Sequence, residues 1–126
     1  MSDPLSPESL GIGQTIVLNY FPLFMKSPNE VLQFYGNNSV LTWNGTNLNG
    51  IDEIRNFFGQ LQNISFQVSG FEVQTVPNTS LWTMLVVFGT SEAPGNIIRD
   101  FHSTFYIQSD PNVKKGIIRY HTFQNV

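Results

Sequence analysis

Apolar positions along this chain change period near its middle, from spacings of three and four to strict alternation. In "GQTIVLNYFPLFMK", Ile16, Val17, Tyr20, Phe21 and Phe24 mark one face at a period near 3.6, which predicts a helix. Pro22 has no N–H to donate back to Leu18, so the pattern predicts a kink or an early end there. "SPNEVLQFY" predicts a second, shorter helix. Ser27 stands at the cap, Pro28 at the first helical position and Glu30 at the third, the signature of a capping box. Leu32 and Tyr35 carry its buried face, with Val31 and Phe34 as extensions. "SVLTW" reads as a strand and Asn44-Gly45 as a turn. A third helix follows in "IDEIRNFFGQL", where Ile51, Ile54, Phe57, Phe58 and Leu61 recur at three and four. Asn49 or Gly50 caps it, and Asp52 and Glu53 suit the positive end of its dipole.

Beyond Ile64 the period becomes two. Ile64, Phe66 and Val68 alternate with Ser65, Gln67 and Ser69, and the apolar set changes phase at Gly70 to Phe71 and Val73. A phase change at glycine predicts a bulge or a sharp bend. Three more strands follow in "LWTMLVVFGT", "NIIRDFHSTFYIQ" and "GIIRYHTFQNV", with turn signals at Pro77-Asn78, Pro94-Gly95 and Pro111-Asn112. Helices followed by four long strands predict an α+β domain with an antiparallel sheet. Residues 1–8, with Pro4, Pro7, two serines and two acids, read as a disordered lead-in, and residues 9–126 as a single domain.

The strand from Leu81 is apolar on both faces: Leu81, Thr83, Leu85 and Val87 on one, Trp82, Met84, Val86 and Phe88 on the other. One set packs on the helices. For the other, two readings stand: a sheet curved around a closed core, or a subunit interface, since apolar patches of that extent mark partner surfaces.

Composition narrows the function classes. Eleven phenylalanines within a 126-residue chain supply ample core. Six Lys or Arg against nine Asp or Glu, scattered and never clustered, argue against direct nucleic-acid binding. With no cysteine, a disulfide framework and a thiolate metal site are both excluded. Asn-x-Ser/Thr matches at Asn37, Asn44, Asn63 and Asn78 matter only in a secreted protein, and "MSDPLSPESL" does not resemble a signal peptide. No stretch approaches the ~20 apolar residues of a membrane span.

A search for catalytic chemistry returns little. There is no glycine-rich phosphate loop, and "GIG" lacks a preceding strand. His102 and His121 are the only histidines, so a multi-histidine metal site is excluded. Asp100 and His102 share one strand face and are the one pair that resembles an oriented general base, while Ser103 points the other way. Asp52 and Glu53 diverge by about 100° on a helix, and capping accounts for them better than catalysis. No catalytic residue, metal or cofactor is expected. Arg99 stands among Ile97, Phe101 and Phe105 on one alternation. It either snorkels to the sheet edge or meets a partner's carboxylate through its planar fork.

The stretch "VLTWNGTNLNGIDEIRNFFGQLQNISFQVSGFEVQTV" resembles the core of the small NXT-type mRNA export cofactors, relatives of nuclear transport factor 2. Trp43-Asn44-Gly45, Gly50 opening a helix, Phe57-Phe58 and Phe66 to Val68 carry the likeness. "LVVFG", "RDFHSTFYI" and Phe123-Gln124 extend it from Gly13 to the end. The resemblance implies a cone-like fold, a strongly bent antiparallel sheet packed on three N-terminal helices. It also implies a non-catalytic small subunit of a heterodimer with a large TAP-class mRNA export receptor. That receptor binds messenger ribonucleoprotein and contacts FG-repeat nucleoporins, which places the pair in nucleus, cytoplasm and nuclear pore.

By position, Arg99 matches the family arginine that salt-bridges an acidic residue of the receptor, with Asp100 beside it. Strand alternation adds Trp82, Met84, Val86, Phe88, His102, Thr104 and Tyr106 as the partner surface. Which alternation faces outward stays open, because Arg99 belongs with Phe101 and Phe105 unless a bulge intervenes. The relative that imports GDP-bound Ran uses acids at its cavity rim. Here "TSEAPGNIIRD" offers only Glu92 ahead of the arginine, which argues against Ran binding. Two alternatives remain: a homodimeric module for Phe-containing peptides or nucleoporin FG repeats, and an enzyme using Asp100 and His102 within the cone.

Overall fold

The computed structural model describes residues 7–61, 63–75, 82–110 and 115–126. Leu81, the Pro77-Asn78 and Pro111-Asn112 turns, Asn78 and residues 1–6 of the expected lead-in lie outside the described residues. The order is helix α1 (Pro7–Lys26), a 3-10 helix (Pro28–Phe34), strands β1 (Tyr35–Trp43) and β2 (Thr46–Asn49), and helix α2 (Ile51–Gln60). Strands β3 (Ser65–Thr75), β4 (Trp82–Ala93), β5 (Ile97–Asp110) and β6 (Lys115–Asn125) complete it.

Helix α1 buries Ile16, Val17, Tyr20, Phe21 and Phe24, the face its periodicity predicts. It begins at Pro7, inside the segment expected as a lead-in, and it does not end at Pro22. Pro22 and Leu18 lie on the exposed side, where solvent can satisfy the Leu18 carbonyl that the proline leaves without a donor. The second helix winds as 3-10 and lacks the expected capping box. Ser27 is extended and gives no side-chain cap; the Glu30 N–H instead bonds the Ser27 carbonyl at 2.9 Å. Val31 is its fully buried residue, with Leu32 and Phe34 only partly covered, because a tighter helix shifts which positions share a face. Tyr35 is buried as the first residue of β1.

Asn44 (φ 48°) and Gly45 (φ 87°) form the two-residue turn that the Asn-Gly signal predicts. That turn closes a hairpin rather than leading straight to a helix. Short β2 pairs with β1 from Val40–Asn49 to Trp43–Thr46. The third helix thus enters after two strands, where the sequence pattern predicted the one in "SVLTW". Its cap is Gly50, and Glu53 folds back so that its carboxylate accepts the Asn49 N–H at 2.9 Å.

The six strands form one sheet in the order β2-β1-β6-β5-β4-β3. It is antiparallel, as expected, except for one pairing, between β1 and β6, which run parallel. That pairing shifts register between Tyr35 and Val40. The shift is sealed by buried Ser39, whose hydroxyl donates to the Ile118 carbonyl (2.6 Å) and accepts from the Gly36 N–H (2.8 Å). The phase change at Gly70 is a bulge: the β3–β4 register jumps between Val68 and Gly70, leaving Ser69 unpaired. Gly89 lies opposite, and a Cβ there would collide with the Gln67 carbonyl oxygen. The bulged backbone occupies the space a side chain would need.

The sheet is curved and open, and it wraps the helices around an aromatic interior. Trp43 stacks on Phe123 with ring centres 4.0 Å apart, and Phe24 lies 5.6 Å beyond it. Phe66 and Phe101 close the same cluster. Trp43 is therefore a core residue.

Candidate functional site: the outer face of the sheet

The alternation left open by the sequence is resolved by burial. Thr83, Leu85, Val87, Phe101, Ser103, Phe105 and Ile107 are buried against the helices. Trp82, Met84, Val86 and Phe88 on β4, with His102, Thr104 and Tyr106 on β5, stand on the opposite, outer face. Register sets them side by side: Met84 faces Tyr106, Val86 faces Thr104 and Phe88 faces His102. No helix of the chain packs on this side among the described residues.

Strand β6 adds residues that periodicity missed. Tyr120 is 52% exposed and meets Tyr106 edge-on at 6.2 Å. Thr122 and Gln124 continue the row beside Thr104 and His102. They were hidden because the β5–β6 register shifts at Tyr106/Ile107, which leaves Arg119 as an extra residue. Ile118 and His121 consequently both point inward although they are three apart. Arg119 Nε donates to Gln108 Oε1 at 2.9 Å and is held at the margin. The face has an apolar stripe on β4, a hydroxyl- and amide-bearing row on β5 and β6, and little charge. Such a mixture suits a protein partner better than an anionic polymer.

Arg99 and Asp100 lie apart from this patch. The β4–β5 register runs unbroken from Ala93–Ile97 to Trp82–Gln108, so no bulge transfers Arg99 to the outer face. It keeps the alternation of Phe101 and Phe105, opposite Ser91, but sits past the end of the core and is exposed. Among the described residues the only ion pair is Arg55–Asp52, so the Arg99 guanidinium has no carboxylate here. Asp100 shares the outer alternation with His102, and its carbonyl accepts the Val126 N–H at 2.9 Å. Both Asp100 and His102 are exposed outside the helix-lined interior, which removes them as a base pair within the cone.

The interior also holds a buried polar group. His121 is buried, with Nδ1 2.6 Å from Tyr35 Oη and Nε2 2.6 Å from Ser103 Oγ. Tyr20 Oη lies 2.7 Å from Tyr35 Oη. Phe105 stacks on the imidazole at 4.0 Å. Burial pushes the imidazole down to about 3, so it is neutral at ordinary pH, with one nitrogen donating and the other accepting. Burial likewise pushes both tyrosines above their usual range, with the Tyr20–Tyr35 bond opposing that shift at Tyr20. The cluster is a satisfied polar island in the core. Among the described residues no group of three acidic or histidine side chains could hold a metal.

Concavities on the helix side include two formed by described residues. One, of about 670 Å³, opens between α1, the 3-10 helix and β6 over Ile12, Ile16, Phe34, Tyr35 and Ile117. The other, of about 260 Å³, runs between α1 and edge strand β3, lined by Leu18, Met25, Val68 and Phe71 among other apolar residues. No helix is long and apolar enough to cross a membrane among the described residues.

Comparison with known proteins now decides the family. Residues 12–120 match the model of the Nuclear transport factor 2 (NTF2) domain. The chain belongs to the nuclear transport factor 2 family. NTF2-related export protein 2 of Homo sapiens is 33% identical over 99 residues, covering 74% of this chain and 70% of that protein. The structure of nuclear transport factor 2 from Cryptosporidium parvum superposes with a TM-score of 0.84 at 25% identity, covering 99% and 100% of the two chains. A chain of the C. albicans Mtr2–Mex67 M domain complex shares the fold, with a TM-score of 0.72 at 15% identity over 93% and 94%. In this NTF2-family chain the fold's interior is packed with aromatic side chains, and among the described residues no helix covers the outer sheet face.

Proposed function

We propose that this chain is a non-catalytic small subunit of a heterodimeric mRNA export receptor. It lays the outer face of its sheet on the matching domain of a large TAP-class subunit. One observation carries the reading: Trp82, Met84, Val86, Phe88 and Tyr106 form a contiguous, half-open stripe that no element covers among the described residues. Its likeness to NTF2-related export proteins supports the export role, and the fold it shares with a chain of the Mtr2–Mex67 complex supports pairing. Arg99, exposed and with no carboxylate partner among the described residues, can meet an acidic residue of the larger subunit at the sheet's end. In this arrangement the small subunit stabilises the large one and supports its passage through nuclear pores. FG nucleoporins and mRNA are reached through the large subunit, and Ran-GDP is not a partner. The pair works between nucleus and cytoplasm.

The test is co-expression with the NTF2-like domain of a TAP-class receptor, followed by size exclusion with light scattering. A 1:1 complex is expected, and two separate peaks would sink the reading.

The pocket over Ile12, Ile16, Phe34 and Ile117 favours a second reading, a homodimeric module that seats a phenylalanine of Phe-containing peptides or FG repeats. A monodisperse homodimer that binds an FG peptide, and loses it in Ile117→Glu, would support this reading over the first.

A further inference from the structure

The chain contains two Asn-Gly steps, Asn44-Gly45 and Asn49-Gly50, at the two ends of β2. The dipeptide is chemically labile because glycine has no Cβ to hinder attack of its own amide nitrogen on the preceding side chain. In that step the Gly N forms a bond to the Asn Cγ and the bond from Cγ to Nδ2 breaks. The amide leaves as ammonia, carrying the proton lost from the glycine nitrogen. Water then opens the succinimide at one carbonyl or the other, giving aspartate or isoaspartate. Reaction requires a side chain free to rotate and a glycine nitrogen free to reach it.

The structure restrains the two steps very differently. Asn44 is fixed from both ends of its amide: Nδ2 donates to Asn125 Oδ1 at 2.9 Å, and Oδ1 accepts the Asn125 N–H at 2.7 Å. Its own N–H bonds the Phe123 carbonyl at 2.8 Å. Asn125 is anchored in turn through Nδ2 to Ser91 Oγ (2.9 Å) and the Asp100 carbonyl (3.3 Å). Asn49 is exposed, and among the described residues its side-chain amide makes no hydrogen bond. The Asn49 N–H is held by the Glu53 carboxylate at 2.9 Å, and the glycine nitrogen that must attack is held by one backbone bond, Gly50 N–H to the Ser39 carbonyl at 2.7 Å. It closes the end of a four-residue strand at the sheet's edge, the kind of element that opens locally at low free energy.

We propose that Asn49-Gly50 is a site of spontaneous deamidation, and that Asn125 protects the identical dipeptide at Asn44. Conversion to isoaspartate reroutes the chain through the β-carbon of residue 49. That adds one backbone atom between β2 and α2 and draws the Gly50 N–H away from Ser39. Either product also places a new carboxylate beside Glu53, whose own carboxylate holds the Asn49 N–H.

The test is peptide mapping by mass spectrometry of the intact purified protein aged at mildly alkaline pH, with the chain in urea as the unrestrained control. Asn49 is expected to convert at least ~5-fold faster than Asn44 in the folded protein, and the rates should converge in urea. Asn125→Ala should accelerate Asn44 conversion several-fold and leave Asn49 unchanged, while Asn49→Gln should abolish the faster ammonia release. Conversion of Asn44 at or before Asn49 would overturn the proposal. So would stability of both in the fold while both convert in urea, or an Asn44 rate indifferent to Asn125→Ala.

Discussion

Single polar residues close this fold at points where strands leave their regular register. His121 shows the consequence most clearly. Its folded value of about 3 lies below the ordinary imidazole value, so the unfolded chain binds a proton that the folded chain refuses. Stability from this group is complete above about pH 6.5, and it is lost progressively as pH falls from there toward 3. The loss is on the order of 5 kcal/mol at its limit, a large share of a small domain's stability. Urea titrations between neutral pH and pH 4 should show a falling midpoint, and His121→Gln should flatten that fall while lowering stability at neutral pH. An unchanged slope in the variant would assign the acid sensitivity to the carboxylates instead. The Asn44–Asn125 pair acts by the same logic without charge. Asn44→Ala removes two hydrogen bonds and a residue suited to φ 48°, and should cost about 1–2 kcal/mol in thermal or chemical melts.

Elements whose pattern is purely local were readable in the sequence. The α1 and α2 faces, the β4 alternation, the Asn-Gly turn and the bulge at Gly70 all follow from spacing within a few residues. Features decided by partners far along the chain were not. The parallel β1–β6 pairing joins segments some eighty residues apart, and short β2 lacks an apolar stripe because it is an edge strand. The extra residue at Arg119 hid Tyr120 from the outer row, since a slip of one residue moves every following side chain to the other face. At the β3–β4 bulge, sequence and structure combine into a graded prediction. Gly89→Ala sets a Cβ against the backbone of Gln67 and Ser69, which cannot yield without undoing the bulge; about 3 kcal/mol or more of destabilisation is expected. Gly70→Ala meets only the ring of Phe88, at 3.1 Å, which stands half in solvent and can swing aside. Denaturant midpoints of the two variants should therefore differ widely, and equal losses would refute this account of the bulge.

At the scale of the whole molecule the curved sheet divides the chain's apolar material into two jobs. Aromatic rings fill the helix side's interior, and among the described residues the outer face of β4 and β5 is left without a helix packed on it. The sequence showed that β4 was apolar on both faces and named the residues concerned; it could not show which side the helices take, because that depends on the hand of a three-dimensional wrap. The placement of Arg99 on the other alternation separates two contributions that a flat picture would merge. Val86→Glu puts a carboxylate in the centre of the outer stripe, between Glu72 on β3 and Thr104 on β5. It should leave the monomer folded, since Val86 is only half-buried, yet weaken pairing by roughly 2 kcal/mol or more, about thirtyfold in affinity. Arg99→Glu alters an exposed side chain at the sheet's end, so monomer stability should change by less than about 0.5 kcal/mol. If Arg99 meets an acidic partner residue, the charge reversal should slow association and make the residual binding tighten with added salt, the reverse of the wild-type trend. Titration calorimetry and stopped-flow mixing at two ionic strengths read both variants. A complex that tolerates Val86→Glu would place the partner away from the outer face, whereas one that tolerates only Arg99→Glu would confine the interface to the β4–β5–β6 stripe.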